Sequence, residues 1–256
     1  MLKNTLKSIS PLDGRYTTKL SELENHFSEF ALIKSRVLVE IKWLIFMSKS
    51  KGIKFVPPLK KNKENALNKL VEDFSLQDAE KIKKIEAKTN HDVKAVELFI
   101  GKKLDELKLS SYKEFIHLFC TSEDINNLSY NLMLKGYLEN EFKEINSFLL
   151  KDLKSKSKKW AKLSMMSFTH GQSASPTTLG KEIANFHERI KFHLNILSPI
   201  KPSGKFNGAV GNYNAHFIAS EKINWQLISE KFVKSLGLSW SKYSTHIELK
   251  DEMVTI

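Results

Sequence analysis

The amino-acid sequence predicts an all-α fold, and three observations support this prediction. Apolar residues recur at steps of three and four along most of the chain, which is the spacing of a buried helix face. Alternation with a period of two is almost absent, so few strands are expected. One helical pattern runs from Ser122 to Trp160, roughly 60 Å at about 1.5 Å per residue. A helix of that length needs a long bundle or partner chains to cover it.

The first half of the chain alternates predicted helices with short breaks. Residues 8–16 contain Pro and Gly and read as a loop, and residues 52–58 interrupt the next helical pattern. Ser75 and Asp78 have the spacing of a capping box, which marks the start of a helix. We therefore predict helices over 27–47, over about 62–74, after Ser75, and after the Asn90-His91-Asp92 segment.

The second half begins with the long helix, whose start at Thr121-Ser122-Glu123-Asp124 also has the sequence of a capping box. We predict that a polar loop (167–177), a helix (178–197), a Gly- and Asn-rich loop (203–216) and a final helix (224–236) follow it. The helical pattern is interrupted at 107–111. We place a domain boundary there, between an amino-terminal helical domain (1–110) and a central helical domain (111–256) that is incomplete at its carboxyl end.

The composition is that of an ordinary globular protein. Of 256 residues, 41% are hydrophobic and 27% are charged, which argues against disorder and fibrous structure. No uncharged apolar run of about 18 residues is present, and the first ten residues lack a signal-peptide core, so we expect a cytoplasmic protein without a membrane span. A single cysteine, Cys120, offers neither a disulfide framework nor zinc-ligand spacing.

The net charge of +12 raises the question of nucleic-acid binding. Only three of the 41 basic residues are arginines, and the others are lysines spread along every segment. Dedicated nucleic-acid surfaces favour arginine, whose guanidinium contacts phosphates and bases in pairs of hydrogen bonds. We therefore interpret the charge as a general lysine-rich composition that attracts anionic metabolites weakly, and we expect no nucleic-acid partner.

Four polar segments interrupt the apolar helices: residues 13–16, 89–92, 121–127 and 169–172. Loops at helix ends commonly carry binding groups, and a helix amino terminus offers free N–H groups to an anion. Three of these segments also have a purely structural interpretation: Thr121 and Ser122 as helix caps, His91 as a surface histidine, and His170 as part of a turn. Spacing alone indicates only a helical enzyme or a helical binding protein.

Read together, these segments resemble adenylosuccinate lyase, in the bacterial branch of the fumarase/aspartase superfamily. The resemblance is carried in order by SPLDGRY (10–16), TNHDVKAVE (89–97), FIH running into TSEDINN (115–127), THGQ (169–172) and NGAVGNYNAH (207–216). It covers essentially the whole chain. Five motifs in register are far more specific than any one of them.

The resemblance implies a small helical domain followed by a long central bundle, and a homotetramer in which each active site takes residues from three subunits. It implies a lyase of purine nucleotide biosynthesis. Such an enzyme eliminates fumarate from adenylosuccinate, giving AMP, and from the succinylated carboxamide imidazole ribotide SAICAR, giving AICAR. Neither a metal nor an organic cofactor is implied, because acid–base catalysis and charge stabilisation suffice.

The resemblance also assigns roles to individual residues. His170 matches the general acid, and His91 assists it. The residues that match substrate-binding positions are Arg15, Tyr16, Asn90, His91, Asp92, His117, Thr121, Ser122, Gln172 and His246, with His117 on the phosphate side.

Two departures from the family pattern stand out. His246 occupies a position where the family has glutamine, although histidine can still donate a hydrogen bond. The family's mobile Ser-Ser-x-Met-Pro-x-Lys-x-Asn loop, which supplies the serine base, lies beyond Ile256. The alternative to an active lyase is therefore a truncated, non-catalytic remnant that at most binds nucleotide. A half-bundle is also expected to expose apolar helix faces.

Overall fold

A computed structural model describes residues 7–256 and confirms a mostly helical fold with few strands. The main helices are α1 (Glu24–Phe27), α2 (Glu29–Lys49), α3 (Lys61–Glu72), α4 (Leu76–Thr89), α5 (Asp92–Glu106), α6 (Ser122–Tyr137), α7 (Lys143–Lys159), α8 (Leu179–Leu197), α9 (Asn214–Ala219), α10 (Trp225–Ser235) and α11 (Asp251–Thr255). Short 3₁₀ turns cover Thr17–Lys19, Ser21–Leu23 and Ser110–Phe115. No helix in the part of the chain described is both long and apolar enough to cross a membrane.

Contacts divide the chain into two compact units. The first contains the described residues up to Gly136 together with Pro202–Lys250, and the second contains Tyr137–Lys201 and Asp251–Ile256. These units are defined by contacts within one copy of the chain, so they do not test the predicted domains. The domain boundary near residue 110 stays a prediction.

The long predicted helix is present but is not uniform. Helical backbone runs from Ser122 to Lys159, and residues Leu138–Phe142 form a π-helical segment between α6 and α7. Trp160 follows as the carboxyl-terminal cap, close to the predicted end. Hydrophobic periodicity predicted the position of this helix correctly. It could not predict the π-helical segment, because a change of hydrogen-bond pattern over five residues barely alters the spacing of the apolar residues.

The predicted loop at 167–177 is wrong, because this stretch is a β-hairpin. Strands β1 (Ser164–Thr169) and β2 (Gln172–Thr178) pair antiparallel through a two-residue turn. His170 and Gly171 both have positive φ, 53° and 73°, as the twist-compatible type I′ turn requires. Both strands are largely exposed, so the sequence has no alternation between a buried and an exposed face to reveal them.

Helix α2 is the centre of the first unit. One side packs Ile33, Val37 and Ile41 against α3, α4 and α5, and the other packs Trp43 against Phe206 and Phe232 at ring-centroid distances of 4.6 and 4.9 Å. The buried apolar residues of α2 lie on more than one face, so the helix is covered on several sides. This explains why α2 can organise two apolar clusters at once.

A buried ion pair joins α6 to the loop that follows Pro202. Lys205 Nζ lies 3.0 Å from Asp124 Oδ1, and the side chains are 0% and 1% exposed. The same carboxylate accepts hydrogen bonds from the backbone N–H groups of Thr121, Asn207 and Gly208. The predicted loop at 203–216 is thus mostly irregular, as expected, but much of it is buried.

Close packing reinforces this connection. Asn127 Nδ2 donates to Lys205 O, and Lys205 N–H donates to Asn127 Oδ1. A Cβ atom at Gly204 would lie 2.4 Å from Leu128 Cδ2, so only glycine fits there without a shift. Gly204 also belongs to the two-residue strand β3 (Ser203–Gly204), which pairs in parallel with β4 (Ser239–Trp240).

The second unit leaves much apolar surface uncovered within one copy. Helices α7 and α8 pack against each other, yet Gly180 is the one buried residue on either of them. Phe148 is 73% exposed. The other exposed large side chains of this unit include Ile145, Phe168, Phe186, Phe192 and Ile196. Patches of this kind mark interaction surfaces.

Replacing Lys205 by methionine should destabilise the first unit by about 3–5 kcal/mol, because it leaves the Asp124 carboxylate buried without its countercharge. Urea unfolding monitored by the emission of the buried Trp43 and Trp225 measures this change. Lys234→Met is the matched control, since Lys234 pairs with Glu230 on the surface. Equal midpoints for the two variants would show that the buried pair has no special weight.

Candidate active site

The turn between α4 and α5 presents the Asn90-His91-Asp92 segment. Asn90 caps α4 in the left-handed conformation, with φ of 52°, which asparagine tolerates better than most residues. His91 is the amino-terminal cap of α5, and its Nδ1 accepts a hydrogen bond from Lys94 N–H at 3.1 Å. This cap requires an unprotonated Nδ1, so the neutral ring carries its proton on Nε2 and can donate from that side.

Arg36 connects this turn to the start of α6. Its Nη2 lies 2.6 Å from Asp92 Oδ2, and its Nε donates to Asn126 Oδ1 at 2.8 Å. Burial opposes ionisation of Asp92, but the Arg36 guanidinium and the Val93 N–H outweigh it and lower the pKa of this carboxyl. Sequence reasoning gave Arg36 no role, although an arginine directly before the apolar run Val37-Leu38-Val39 was a visible signal.

A second ionic pair holds His117. Both oxygens of the Glu40 carboxylate contact it: Oε1 lies 2.6 Å from the ring Nδ1, and Oε2 accepts the backbone N–H at 3.1 Å. The Glu40 side chain is fully buried, and His117 adopts a positive φ of 58°. Glu40 was also missed, although a carboxylate between Val39 and Ile41 was unusual enough to indicate a buried partner.

The Glu40 contact favours the charged form of His117. Burial opposes that charge, but the hydrogen bond and the charge of Glu40 outweigh it, with Coulombic support from Glu97 and Asp124, and the pKa of His117 is raised. With Nδ1 engaged, the Nε2–H of this imidazolium is the group that can donate to an anion.

Thr121 and Ser122 lie at the amino terminus of α6 and are partly exposed. The capping interaction seen here joins Thr121 N–H to Asp124 Oδ2 at 3.0 Å, and neither hydroxyl makes a hydrogen bond to another residue within 7–256. Helix capping by their hydroxyls therefore does not explain why Thr121 and Ser122 occupy these positions. Both remain able to contact a ligand at the positive end of the helix dipole.

His246 contacts the loop at 203–216 through Ala209. Its Nδ1 lies 2.6 Å from Ala209 O, and because a carbonyl can only accept, Nδ1 carries the proton. A glutamine side-chain amide could donate the same bond, so the substitution preserves this contact chemically. Beneath the loop, His216 is packed among Phe119, Tyr213 and Trp225, and burial lowers its pKa to about 4.

The remaining candidate residues are exposed. Arg15 and Tyr16 lie in a tight turn, with the guanidinium carbon of Arg15 5.6 Å from the Tyr16 ring centroid. They make no hydrogen bond to the other candidate residues in the part of the chain that the structure describes. His170 and Gln172 belong to the second unit, where His170 is exposed at the tip of the hairpin.

The fold is that of a known class of lyases and related enzymes. A solved structure of β-carboxy-cis,cis-muconate cycloisomerase from Acinetobacter calcoaceticus superposes with a TM-score of 0.67 at 19% identity, covering 92% of this chain and 52% of that one. Fumarate lyase from Mesorhizobium gives a TM-score of 0.68 at 17% identity, covering 89% of this chain and 49% of that one. At these identities the likeness shows the fold.

Sequence comparison identifies the family. Residues 14–256 match the family model described as lyase, and the chain belongs to this lyase family. It is 45% identical over 252 residues to adenylosuccinate lyase of Haemophilus influenzae, covering 98% of this chain and 55% of that protein. It is 43% identical over 249 residues to that of Buchnera aphidicola subsp. Schizaphis graminum, covering 97% and 55%. The expected resemblance is confirmed, and the chain spans about half the length of these relatives.

Replacing Glu40 by glutamine should lower the pKa of His117, because the amide keeps the shape but removes the charge. The raised folded-state pKa also sets a pH window. The charged His117 stabilises the folded state fully below the pKa of an unfolded histidine, about 6.5. This stabilisation is lost as the pH rises through the higher pKa of His117 in the folded state. Titration of the His117 ring by NMR measures both pKa values.

Glu114→Gln is the matched control, because Glu114 is exposed and lies three residues from His117. An unchanged pKa of His117 in Glu40→Gln, with the fold intact, would mean that the Glu40 carboxylate does not set its charge.

Proposed function

We propose that this chain is the amino-terminal part of an adenylosuccinate lyase, which eliminates fumarate from adenylosuccinate to give AMP and from SAICAR to give AICAR. One observation carries the proposal: two motif segments that match the family, 89–97 and 115–127, are held in place by charged side chains of α2 in the first unit. Arg36 links the Asn90–Asp92 turn to Asn126, and Glu40 holds His117. The identity of 43–45% over nearly the whole chain supports the same reading.

In the proposed reaction, a base removes the proton next to one carboxylate of the succinyl group and leaves a carbanion stabilised by that carboxylate. The C–N bond then breaks, and the electron pair of the carbanion forms the double bond of fumarate. His170 donates a proton to the departing nitrogen, assisted by His91 through its Nε2–H. The base is supplied by residues outside this chain.

The anionic groups of the substrate match the cationic and N–H groups described above. The His117 imidazolium and the amino terminus of α6, with Thr121 and Ser122, suit a phosphate or a carboxylate. Arg15 suits a carboxylate through paired hydrogen bonds, and the remaining proposed contacts are Tyr16, Asn90, Asp92, Gln172 and His246. Burial of these contacts in the assembled enzyme would strengthen each of them.

The exposed apolar side chains of the second unit support assembly into a homotetramer. Phe148 and Phe186 would be covered by helices of other copies, and this removes apolar surface from water. His170 is exposed on the hairpin of one copy, which agrees with a role in a site completed by other copies.

Release of fumarate tests the proposal. The chain joined to the carboxyl-terminal part of the Haemophilus influenzae relative should form fumarate from adenylosuccinate, whereas the 256-residue chain alone should not. An assembled tetramer of the joined protein that forms no fumarate would reject the function. Turnover by the chain alone would reject the need for a base from outside it.

Replacing His170 by alanine in the joined protein should lower kcat by about a hundredfold or more, because a general acid commonly contributes that much. His193→Ala is the matched control, since His193 is also an exposed histidine of the second unit. Equal rates for both variants, with tetramer assembly intact, would remove His170 from the mechanism.

A further inference from the structure

A cleft between α4 and α5 is lined mainly by lysines. It has a volume of about 510 Å³ and receives Lys81, Lys84 and Lys88 from α4 and Lys102 and Lys103 from α5. Glu106 is the one acidic residue of its lining. We refer to this feature as the lysine cleft. Its volume is typical of pockets that bind small molecules.

Most of this positive charge has no partner in the protein. Lys81 pairs with Asp78 at 3.0 Å, and Lys103 pairs with Glu106 at 2.9 Å. Lys84, Lys88 and Lys102 form no ion pair with any residue between 7 and 256. Three ammonium groups therefore remain uncompensated in one cleft.

The two helices bring lysines of like charge to the lining of one cleft. Lys84 and Lys88 are four residues apart on α4, a spacing at which like charges on a helix destabilise it. Lys102 adds a third charge from α5, which packs against α4. A bound anion would remove this repulsion, so the arrangement favours a ligand with several negative charges.

The floor of the cleft is apolar. Ile85 and Phe99 belong to the core cluster or pack against it, whereas Leu98 is 40% exposed. Lys103 Nζ lies 5.7 Å from the centroid of the Phe99 ring. Lysine ammonium groups bind phosphates as mobile point charges, and an apolar floor accepts an uncharged portion of the same molecule.

We propose that the lysine cleft binds a small polyanion with two or more linked phosphate groups, either free or as part of a nucleotide. This site is separate from the function proposed above and does not depend on it. The cleft ends at Thr89, directly before the Asn90-His91-Asp92 turn. The ligand would therefore lie beside the carboxyl end of α4.

Isothermal titration of the 256-residue chain with tripolyphosphate tests the proposal, and ATP is the second arm. One molecule of tripolyphosphate should bind per chain. Equal affinity for ATP would assign binding to the phosphate chain alone, and tighter binding of ATP would show that the apolar floor also takes part.

A variant with Lys84→Gln, Lys88→Gln and Lys102→Gln should bind at least about tenfold more weakly, because three charges that line the cleft are lost. The control variant carries Lys154→Gln, Lys158→Gln and Lys162→Gln, which removes the same charge from three exposed lysines of the second unit that form no ion pair with described residues. It should bind within about twofold of the unchanged chain, since exposed charges that do not line the cleft are screened by salt. Circular dichroism checks that both variants fold.

Three results would overturn the proposal. The first is an equal loss of affinity in both variants, which would attribute binding to the general lysine content. The second is no heat of binding with either ligand at low salt. The third is stoichiometric binding that survives in the cleft variant, which would place the phosphates elsewhere.

Discussion

The buried Asp124–Lys205 ion pair is the constraint on which the first unit depends. Both side chains are almost completely removed from water, so neither charge is tolerable without the other. Three backbone N–H groups complete the coordination of the carboxylate. A loop about 80 residues away in sequence is thereby fixed on the first turn of α6, and this explains how an irregular, Gly-rich segment can be part of the core.

From this pair, polar contacts extend to the other candidate residues. Asn126 on α6 accepts from Arg36, Arg36 binds Asp92, and Asp92 directly follows the His91 cap of α5. Glu40, one turn along α2 from Arg36, holds His117. The buried part of α2, which is mostly apolar, therefore contributes two charges, Arg36 and Glu40, and both act on residues of the family motifs. The motif residues have precise positions because these partners fix them.

Sequence predicted the parts of the fold that depend on local spacing. Apolar periodicity located α2 and the long helix from Ser122, and the Ser75–Asp78 capping box is present with both of its hydrogen bonds. The hairpin around His170 was missed because both of its strands are exposed, so burial leaves no alternating pattern in them. Positive φ at His170 and Gly171 depends on the turn, which a His-Gly pair indicates only weakly.

The residues of the candidate site also fall into those that the sequence predicted and those that it did not. His91, His117 and His170 were recognisable because they lie in motifs, and their roles came from the resemblance to a family. The sequence did not predict Arg36, Glu40 and Lys205 as site residues. Their partners are distant in sequence, and residue spacing does not indicate contacts of that kind. Their visible signal was a charge within a segment that is otherwise apolar or buried, and this signal indicates a buried partner without identifying it.

Hydrogen exchange of the Asn207 and Gly208 amides tests the central constraint most directly, since both donate to the Asp124 carboxylate. If the buried ion pair fixes this loop, both amides should exchange only through openings whose free energy approaches that of global unfolding of the unit. Exchange at the rate of an exposed loop, with the α2 amides still protected, would contradict the account.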